Sequence, residues 1–180
     1  MKLLIASDIH GSSYYCEKLI QKYNKEKPDK MLLLGDILYH GPRNDLPRDY
    51  APKQVIEMLN DIAENILCVR GNCDTEVDQM VVDFPILADY CTIFDGKLTM
   101  YATHGHHIDD IKCASGSIVL GGHTHVPACE QREGYIYINP GSVSIPKENS
   151  HNGYILYSSG VFQWKDLDGN VIMQTSFGPR

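Results

Sequence analysis

The sequence predicts an α/β fold of two packed sheets with helices outside. Three observations predict it: strand–helix alternation in the first half, hairpin-spaced strands in the second, and short apolar runs that end abruptly in polar residues. Apolar runs of about four to eight residues read as buried strands. LLIAS runs into Asp8-Ile9-His10-Gly11, MLLLG into Asp36, and NILCVRG into Asn72-Cys73-Asp74. LTMYAT leads to His104-Gly105-His106, SIVLGG to His123-Thr124-His125, and YIYI to Asn139-Pro140-Gly141-Ser142.

Residues 2–6 form the first expected strand, and 12–25 a helix with Ser12 or Ser13 available as N-cap. A strand at 31–34 precedes a long segment, 37–51, without clear periodicity. Loops of about 12–15 residues or more are usually functional or mobile. This one leaves directly from Asp36, so it should overhang any site built there. Pro52 suits the first position of a helix over 52–64, and a strand at 66–69 follows. Such βαβ order implies a parallel sheet with right-handed crossovers.

The second half changes character and is expected to be antiparallel. Residues 92–95 and 98–103 flank an Asp95-Gly96-Lys97 turn, which is a hairpin signal. Further strands are expected at 117–120, 128–131, 135–138, 153–157, 162–166 and 171–176. Ser159-Gly160 and Asp168-Gly169-Asn170 make the turns between the last three. No linker interrupts the chain. Its 180 residues suffice for one buried core and not comfortably for two, so residues 1–180 are expected to be one domain.

Composition narrows the function. A net charge of −7, from 16 Lys and Arg against 23 Asp and Glu, disfavours non-specific binding to polyanions. Nucleotides stay open, because bound divalent ions reverse the local sign. Six cysteines without CxxC spacing suit reduced thiols in a cytosolic protein. The apolar start MKLLIA is cut by Ser7-Asp8, well short of the roughly 7–15 residues of a secretory core or the roughly 20 of a membrane span. A soluble cytoplasmic protein with no specific nucleic-acid or membrane partner is expected. Tyr135, Tyr137, Tyr154 and Tyr157 on the late strands could supply a homo-oligomer surface, though alternating aromatics are more often ordinary sheet packing.

In open α/β sheets, loops at the strands' carboxyl ends converge on the binding crevice. Singly, each polar stop is weak evidence: Asn72 after Gly71, for instance, is an ordinary turn residue. The pair His123 and His125 is the strongest fragment, since i and i+2 in extended backbone share a face. Jointly the stops place Asp, His, Asn and His at the ends of different strands, in a chain with only eight His. Imidazole nitrogens and carboxylate oxygens suit manganese, iron, zinc or nickel, and the lack of a Cys-rich set argues against structural zinc. Seven candidate ligands are too many for one ion and fit two that share a bridging carboxylate. Paired metals about 3.5–4 Å apart bind phosphate oxygens and generate a hydroxide nucleophile.

These residues resemble the calcineurin-like metallophosphoesterase superfamily, whose signature order is D-x-H, G-D, G-N-x-D/E, H-G-H and G-H-T-H. All five occur here in order: Asp8-Ile9-His10, Gly35-Asp36, Gly71-Asn72-Cys73-Asp74, His104-Gly105-His106 and Gly122-His123-Thr124-His125. The stretches 7–11, 41–44, 70–74, 76–80 and 139–146 are similar to small bacterial phosphodiesterases of the YfcE type.

The resemblance implies a four-layer α/β/β/α sandwich of two mixed sheets flanked by helices. It also implies a metal-dependent phosphodiesterase that hydrolyses small phosphodiesters with a metal-bridging hydroxide. One ion would take Asp8, His10 and His125, the other Asn72, His104 and His123, with Asp36 bridging. Manganese is the first candidate, with iron, zinc, nickel or magnesium as alternatives. Asp36, Asn72 and His106 are the catalytic candidates, and Arg43, Asn44, Cys73 and His106 the substrate-contacting ones. Rival readings are a phosphomonoesterase or phosphoprotein phosphatase, for which only Arg43, Arg48 and Arg70 offer phosphate-binding cations, and a non-catalytic scaffold like the retromer's small subunit.

One departure matters. Many family members read G-N-H-[ED], and that His protonates the leaving alkoxide, whereas here the position is Cys73. A thiol, with a reference pKa near 8.5, is a poor substitute for imidazolium near neutral pH. Cys73 is expected to pack beside the site rather than act as a nucleophile, and good substrates should need little leaving-group protonation.

Overall fold

The computed structural model describes residues 1–96 and 98–178; Lys97, in the turn expected after Asp95, lies outside them. Two mixed sheets are flanked by few helices. The first contains β1 (Lys2–Ala6), β2 (Lys30–Leu33), β3 (Ile66–Cys68), β9 (Gly153–Ser158), β10 (Val161–Asp166) and β11 (Val171–Ser176), in the order β11-β10-β9-β1-β2-β3. The second contains β4 (Tyr90–Asp95), β5 (Leu98–Thr103), β6 (Ser117–Leu120), β7 (Pro127–Arg132) and β8 (Tyr135–Pro140), in the order β4-β5-β6-β8-β7.

Parallel pairing is not confined to the first half of the chain. In the first sheet β1, β2 and β3 run parallel, while β9 to β11 return antiparallel. In the second, β5 pairs parallel with β6, and β6 with β8. Each sheet therefore contributes three parallel strands, and these are the strands whose polar stops the sequence displays. The hairpins β4–β5 and β7–β8 supply its outer strands.

Side-chain alternation along β1 explains the layering. Leu4 and Ala6 pack with Cys16 and Leu19 of α1 (Ser13–Glu26) and with Val55 and Leu59 of α2 (Pro52–Asn60). Leu3 and Ile5 face the opposite way, onto Ile93, Met100, Ile118 and Ile138 of the second sheet. Fully burying one such aliphatic side chain contributes about 1.5–3 kcal/mol, so both faces of the central strand anchor the sandwich.

Helix ends follow local chemistry. Ser12 caps α1 by accepting a hydrogen bond from the Tyr15 N–H at 3.3 Å. Pro52 opens α2, as expected, but that helix stops at Asn60, and Ala63–Asn65 form a separate 3-10 turn instead of continuing to residue 64. The Asn60 side chain is engaged elsewhere, bonding the Val81 carbonyl and the Asp83 N–H. A short helix not anticipated, α3 (Glu76–Gln79), is held by a reciprocal capping box between Thr75 and Asp78.

Tyr154 and Tyr157 are fully buried and Tyr137 nearly so, which excludes these three from an oligomer surface and fits the sheet-packing reading. Tyr157 donates to the Asp95 carboxylate at 2.5 Å, and Tyr137 bonds Asn139 at 2.9 Å. Their alternation serves sheet packing. Among the described residues, no helix is long and apolar enough to cross a membrane.

Candidate metal centre

Each parallel strand delivers its polar stop to one edge of the sandwich, where the backbone turns sharply. Asp8 (φ 59°), His10 (φ 49°), Asp36 (φ 56°), His123 (φ 67°) and His125 (φ 62°) all adopt left-handed backbone. Asp and His are among the L-residues that tolerate this region best. Such backbone persists only where its surroundings over-determine it. Here the Asp8 N–H donates to the Gly35 carbonyl at 3.1 Å, and the His10 N–H to the Asp36 carbonyl at 2.9 Å. The hydroxyls of Ser142 and Ser144 both donate to the Asp8 carbonyl, at 2.8 and 3.0 Å. His123 and His125 are therefore not on extended backbone. Their rings serve different neighbours, His104 and His10 respectively.

Two glycines in the motifs supply room rather than flexibility. A Cβ on Gly71 would sit 2.1 Å from Asp36 Oδ1, and one on Gly122 would sit 1.9 Å from Ser7 Oγ. The signature glycines let loops from both sheets approach side by side.

The seven candidate ligands form two groups that share Asp36. In the first, Asp8 Oδ1 lies 3.5 Å from His10 Nε2 and 3.2 Å from His125 Nε2. In the second, His104 Nε2 lies 3.1 Å from Asn72 Oδ1 and 3.3 Å from His123 Nδ1. Asp36 Oδ2 reaches both, at 3.7 Å from His10 Nε2 and 3.4 Å from His104 Nε2.

Ring orientation is fixed from outside the cluster. His10, His104 and His125 direct Nδ1 at the carbonyls of Tyr39, Leu34 and Ile145, at 2.7, 2.6 and 2.6 Å. A carbonyl only accepts, so each Nδ1 carries a proton and each ring turns its Nε2 to the interior. The Nε2 atoms of His10 and His125 face one another across 3.2 Å. Asp8 Oδ1 is buried with no hydrogen-bond partner. An orphaned carboxylate oxygen is unfavourable in a protein interior, and a cation among these atoms would give it and the facing ring nitrogens a partner. The donor set fits hard to borderline divalent metals.

The same geometry governs ionisation. Burial disfavours the Asp8 carboxylate, yet the His10 and His125 rings beside it outweigh that and hold its pKa well below the usual range. Asp36 behaves alike: burial is overcome by its bond with His104. His104 is raised to about 9 despite burial, chiefly through Asp36 and Asp8. His106 and His123 are lowered, by burial first and then by the His104 charge. Burial, reinforced by Asp36, pushes the Cys73 thiol up to about 12.

A cavity of about 410 Å³ opens over the cluster, lined by Asp36, Asn72, His123 and His125 together with Arg43, Asn44 and Cys73. The segment 37–51 does border the site as anticipated, but its inner end is also structural. Its Tyr39 carbonyl orients His10, and the Ala51 N–H donates to the Gly11 carbonyl at 2.8 Å. Lys147, missed in the sequence, lines the same cavity; it follows the last motif by five residues and belongs to no pattern. Asp74 was also missed as a positioning group. It accepts from the backbone N–H groups of Asp36, Ile37 and Gly71 at 2.8, 2.9 and 2.7 Å. His106 lies beside the cluster, its ring centroid 5.5 Å from that of His104, and lines a neighbouring cavity instead. Arg48 stacks 3.6 Å over the Tyr14 ring, and Arg70 bonds the Asp74 carbonyl and Glu76. Neither lines the cavity.

Oxygen and nitrogen donors gathered at the strand ends of a two-sheet sandwich, with cations at the mouth, are the arrangement a metal-dependent hydrolase of phosphate esters would need. The chain belongs to the calcineurin-like phosphoesterase superfamily, whose domain model matches residues 1–159. It is 40% identical over 183 residues to Phosphodiesterase YfcE of Escherichia coli strain K12, covering 99% of this chain and 100% of that one. It is 24% identical over 187 residues to Probable metallophosphoesterase YsnB of Bacillus subtilis, covering 96% of this chain and 95% of that protein. The solved structure of the E. coli phosphoesterase Yfce superposes with a TM-score of 0.93 at 40% identity, over 98% of this chain and 99% of that one. Vacuolar Protein Sorting 29 from Cryptosporidium parvum, at 16% identity and a TM-score of 0.64 over 98% of this chain and 97% of that one, shares the fold alone.

Proposed function

We propose that this protein is a dinuclear metal-dependent phosphodiesterase acting on small phosphodiesters. The observation that carries the reading is the pair of donor groups sharing Asp36, with three imidazoles locked from behind so that their Nε2 atoms face inward. Asp8, His10 and His125 would hold one ion and Asn72, His104 and His123 the other, with Asp36 common to both. Manganese is our first choice. When bound, two such ions supply positive charge for phosphate oxygens and lower the pKa of the attacking water.

The chain's own residues do the rest. Arg43 and Lys147, on opposite loops at the mouth, attract the phosphate anion and orient its remaining oxygens. Asn44 donates its Nδ2 to the His40 carbonyl at 2.8 Å and so stiffens the Arg43 turn. Cys73 fills the floor as a neutral thiol whose backbone N–H donates to Asp36 Oδ1 at 2.8 Å. A diester monoanion suits the modest cationic rim better than a phosphomonoester dianion. The complete ligand set supports catalysis over a scaffold role. We read the chain as one domain in the cytoplasm, which six unpaired cysteines support.

Metal analysis with a matched substrate pair tests the proposal. Protein loaded with manganese should bind two ions per chain and hydrolyse bis(4-nitrophenyl) phosphate faster than 4-nitrophenyl phosphate. A single ion per chain, or a preference for the monoester, would overturn it.

A further inference from the structure

A second and larger cavity, of about 740 Å³, opens beside the ligand cluster on the outer face of the second sheet. Strand pairing builds its floor. Tyr90 pairs with Thr103 and Thr92 with Tyr101 across β4 and β5, and directly opposed residues share a face. The alternating residues Ile93, Met100 and Ala102 face the core. The segment carrying His107, Asp110, Ile111 and Lys112 forms the facing wall. His106 joins the two spaces: it lines this cavity, and its ring centroid lies 5.5 Å from that of His104 and 6.1 Å from that of His123. The cavity therefore begins within about one ring's width of the candidate ligands.

Its chemistry differs from that of the cavity over the cluster. Two tyrosine rings and Ile111 offer apolar surface, and Thr92 and Thr103 add hydroxyls. Two carboxylates, Asp89 and Asp110, outnumber the single ammonium of Lys112. A second phosphate or a carboxylate would be poorly received there. A neutral, flat group would be well received, because aromatic rings stack in offset or edge-on arrangements with gains beyond area alone. The size falls within the roughly 300–1,000 Å³ of small-molecule pockets.

We propose that this cavity holds one organic substituent of the substrate, an uncharged planar aromatic group of about nucleobase size, against Tyr90 and Tyr101 while the phosphate lies at the ligand cluster. The inference rests on the phosphodiesterase reading above and adds a substrate class to it. Specificity then resides on the outer face of the second sheet, on elements that carry none of the seven candidate ligands in their strands.

Phenylphosphonate and methylphosphonate carry the same anionic head and differ only in the ring, so their affinities isolate the pocket. Calorimetric titration of the manganese-loaded protein should show phenylphosphonate binding about tenfold more tightly. Tyr101→Ala or Tyr90→Ala should shrink that ratio by about threefold to tenfold, with metal content and methylphosphonate affinity unchanged. Tyr101→Phe should preserve the ratio. Tyr90 is 64% exposed, so its removal leaves the fold intact even if the Tyr101 variant is unstable. Equal wild-type affinities, or a ratio untouched by the alanine variants, would overturn the pocket assignment while leaving the phosphodiesterase reading standing. Failure of both phosphonates to bind the loaded protein would overturn that reading and this inference with it.

Discussion

Asp74 accepts the backbone N–H of Asp36 at 2.8 Å, and with the same carboxylate it holds Ile37 and Gly71. One buried side chain thus ties the loop after β2 to the loop after β3. Asp74→Asn keeps the shape but turns one acceptor into a donor facing N–H groups. Leaving a buried partner unsatisfied costs about 1–3 kcal/mol, and disturbed ligand support commonly costs about 10–100-fold in metal affinity. We expect a lower melting temperature and weaker manganese binding by equilibrium dialysis. Wild-type values for both would mean the three bonds are dispensable.

The shared position of Asp36 separates two kinds of ligand. Asp36→Asn should weaken both ions and abolish hydrolysis with the fold retained, whereas His125→Ala should deplete mainly one ion. Elemental analysis after gel filtration distinguishes them. Two retained ions and near-normal turnover in Asp36→Asn would refute the bridge.

Arg43 and Lys147 face the same cavity from different loops. A hydrogen bond to a charged group contributes about 1.5–3 kcal/mol, so Arg43→Ala should lower kcat/KM on diesters by roughly 10–150-fold. Lys147→Ala should act in the same direction and more weakly, since an ammonium binds phosphate as a point charge without a bidentate fork. Unchanged kcat/KM for both variants would reduce these loops to surface.

Cys73 occupies the place of a family proton donor. General acid help is typically worth about 10²–10⁴-fold, so rates should rise steeply as leaving-group pKa falls, and unactivated alkyl esters should be poor substrates. Cys73→His should flatten that dependence, and Cys73→Ser should leave it nearly as it is. A series of substituted aryl diesters gives the slope. A flat wild-type plot with product release not limiting would point to another acid, with His106 tested first.

Away from the site, Glu26 pairs with Lys165 and lies 3.6 Å from Lys2, with side-chain exposures of only 15% for Glu26 and 12% for Lys165. Burial opposes the Glu26 charge, but the bond with Lys165 outweighs it and lowers the pKa. A carboxyl whose folded pKa is depressed adds stability above its unfolded value, and that stability disappears as pH falls through the folded one. Glu26→Gln should therefore be about 1.5–3 kcal/mol less stable than the parent at pH 7, with the gap closing towards pH 3 in urea titrations. A gap independent of pH would show that packing, not charge, is what the pair contributes.

How much of this was legible in the sequence depended on which physical signal was asked for. Residue type and order identified the polar stops, because a buried strand must end where its hydrophobic run ends. Backbone torsion was not legible: nothing in Gly122-His123-Thr124-His125 distinguishes extended from left-handed backbone, and the two imidazoles part company for that reason. Pairing direction was misjudged for β5, β6 and β8, since a short loop suggests a hairpin only to the next strand in sequence and says nothing of later ones. Helix α3 spans only Glu76–Gln79, too short for periodicity, though Thr75 and Asp78 had the spacing of a cap. Alternation alone left Tyr154 and Tyr157 open to either role, with sheet packing favoured; their depth comes from the strands paired on both sides of β9.

The left-handed turns at Asp8, His10, Asp36, His123 and His125 bear on how this site can be dissected. At such a position alanine removes the side chain and keeps the Cβ that the backbone resents, whereas glycine removes both. The parent residue carries that same Cβ, so an alanine scan leaves the torsional strain in both proteins and reads lost coordination more directly. Glycine would relieve the strain and, by that gain, underrate every one of these ligands. The same filter restricts natural drift: β-branched residues are barred from these five places by their shape before their chemistry is ever tried.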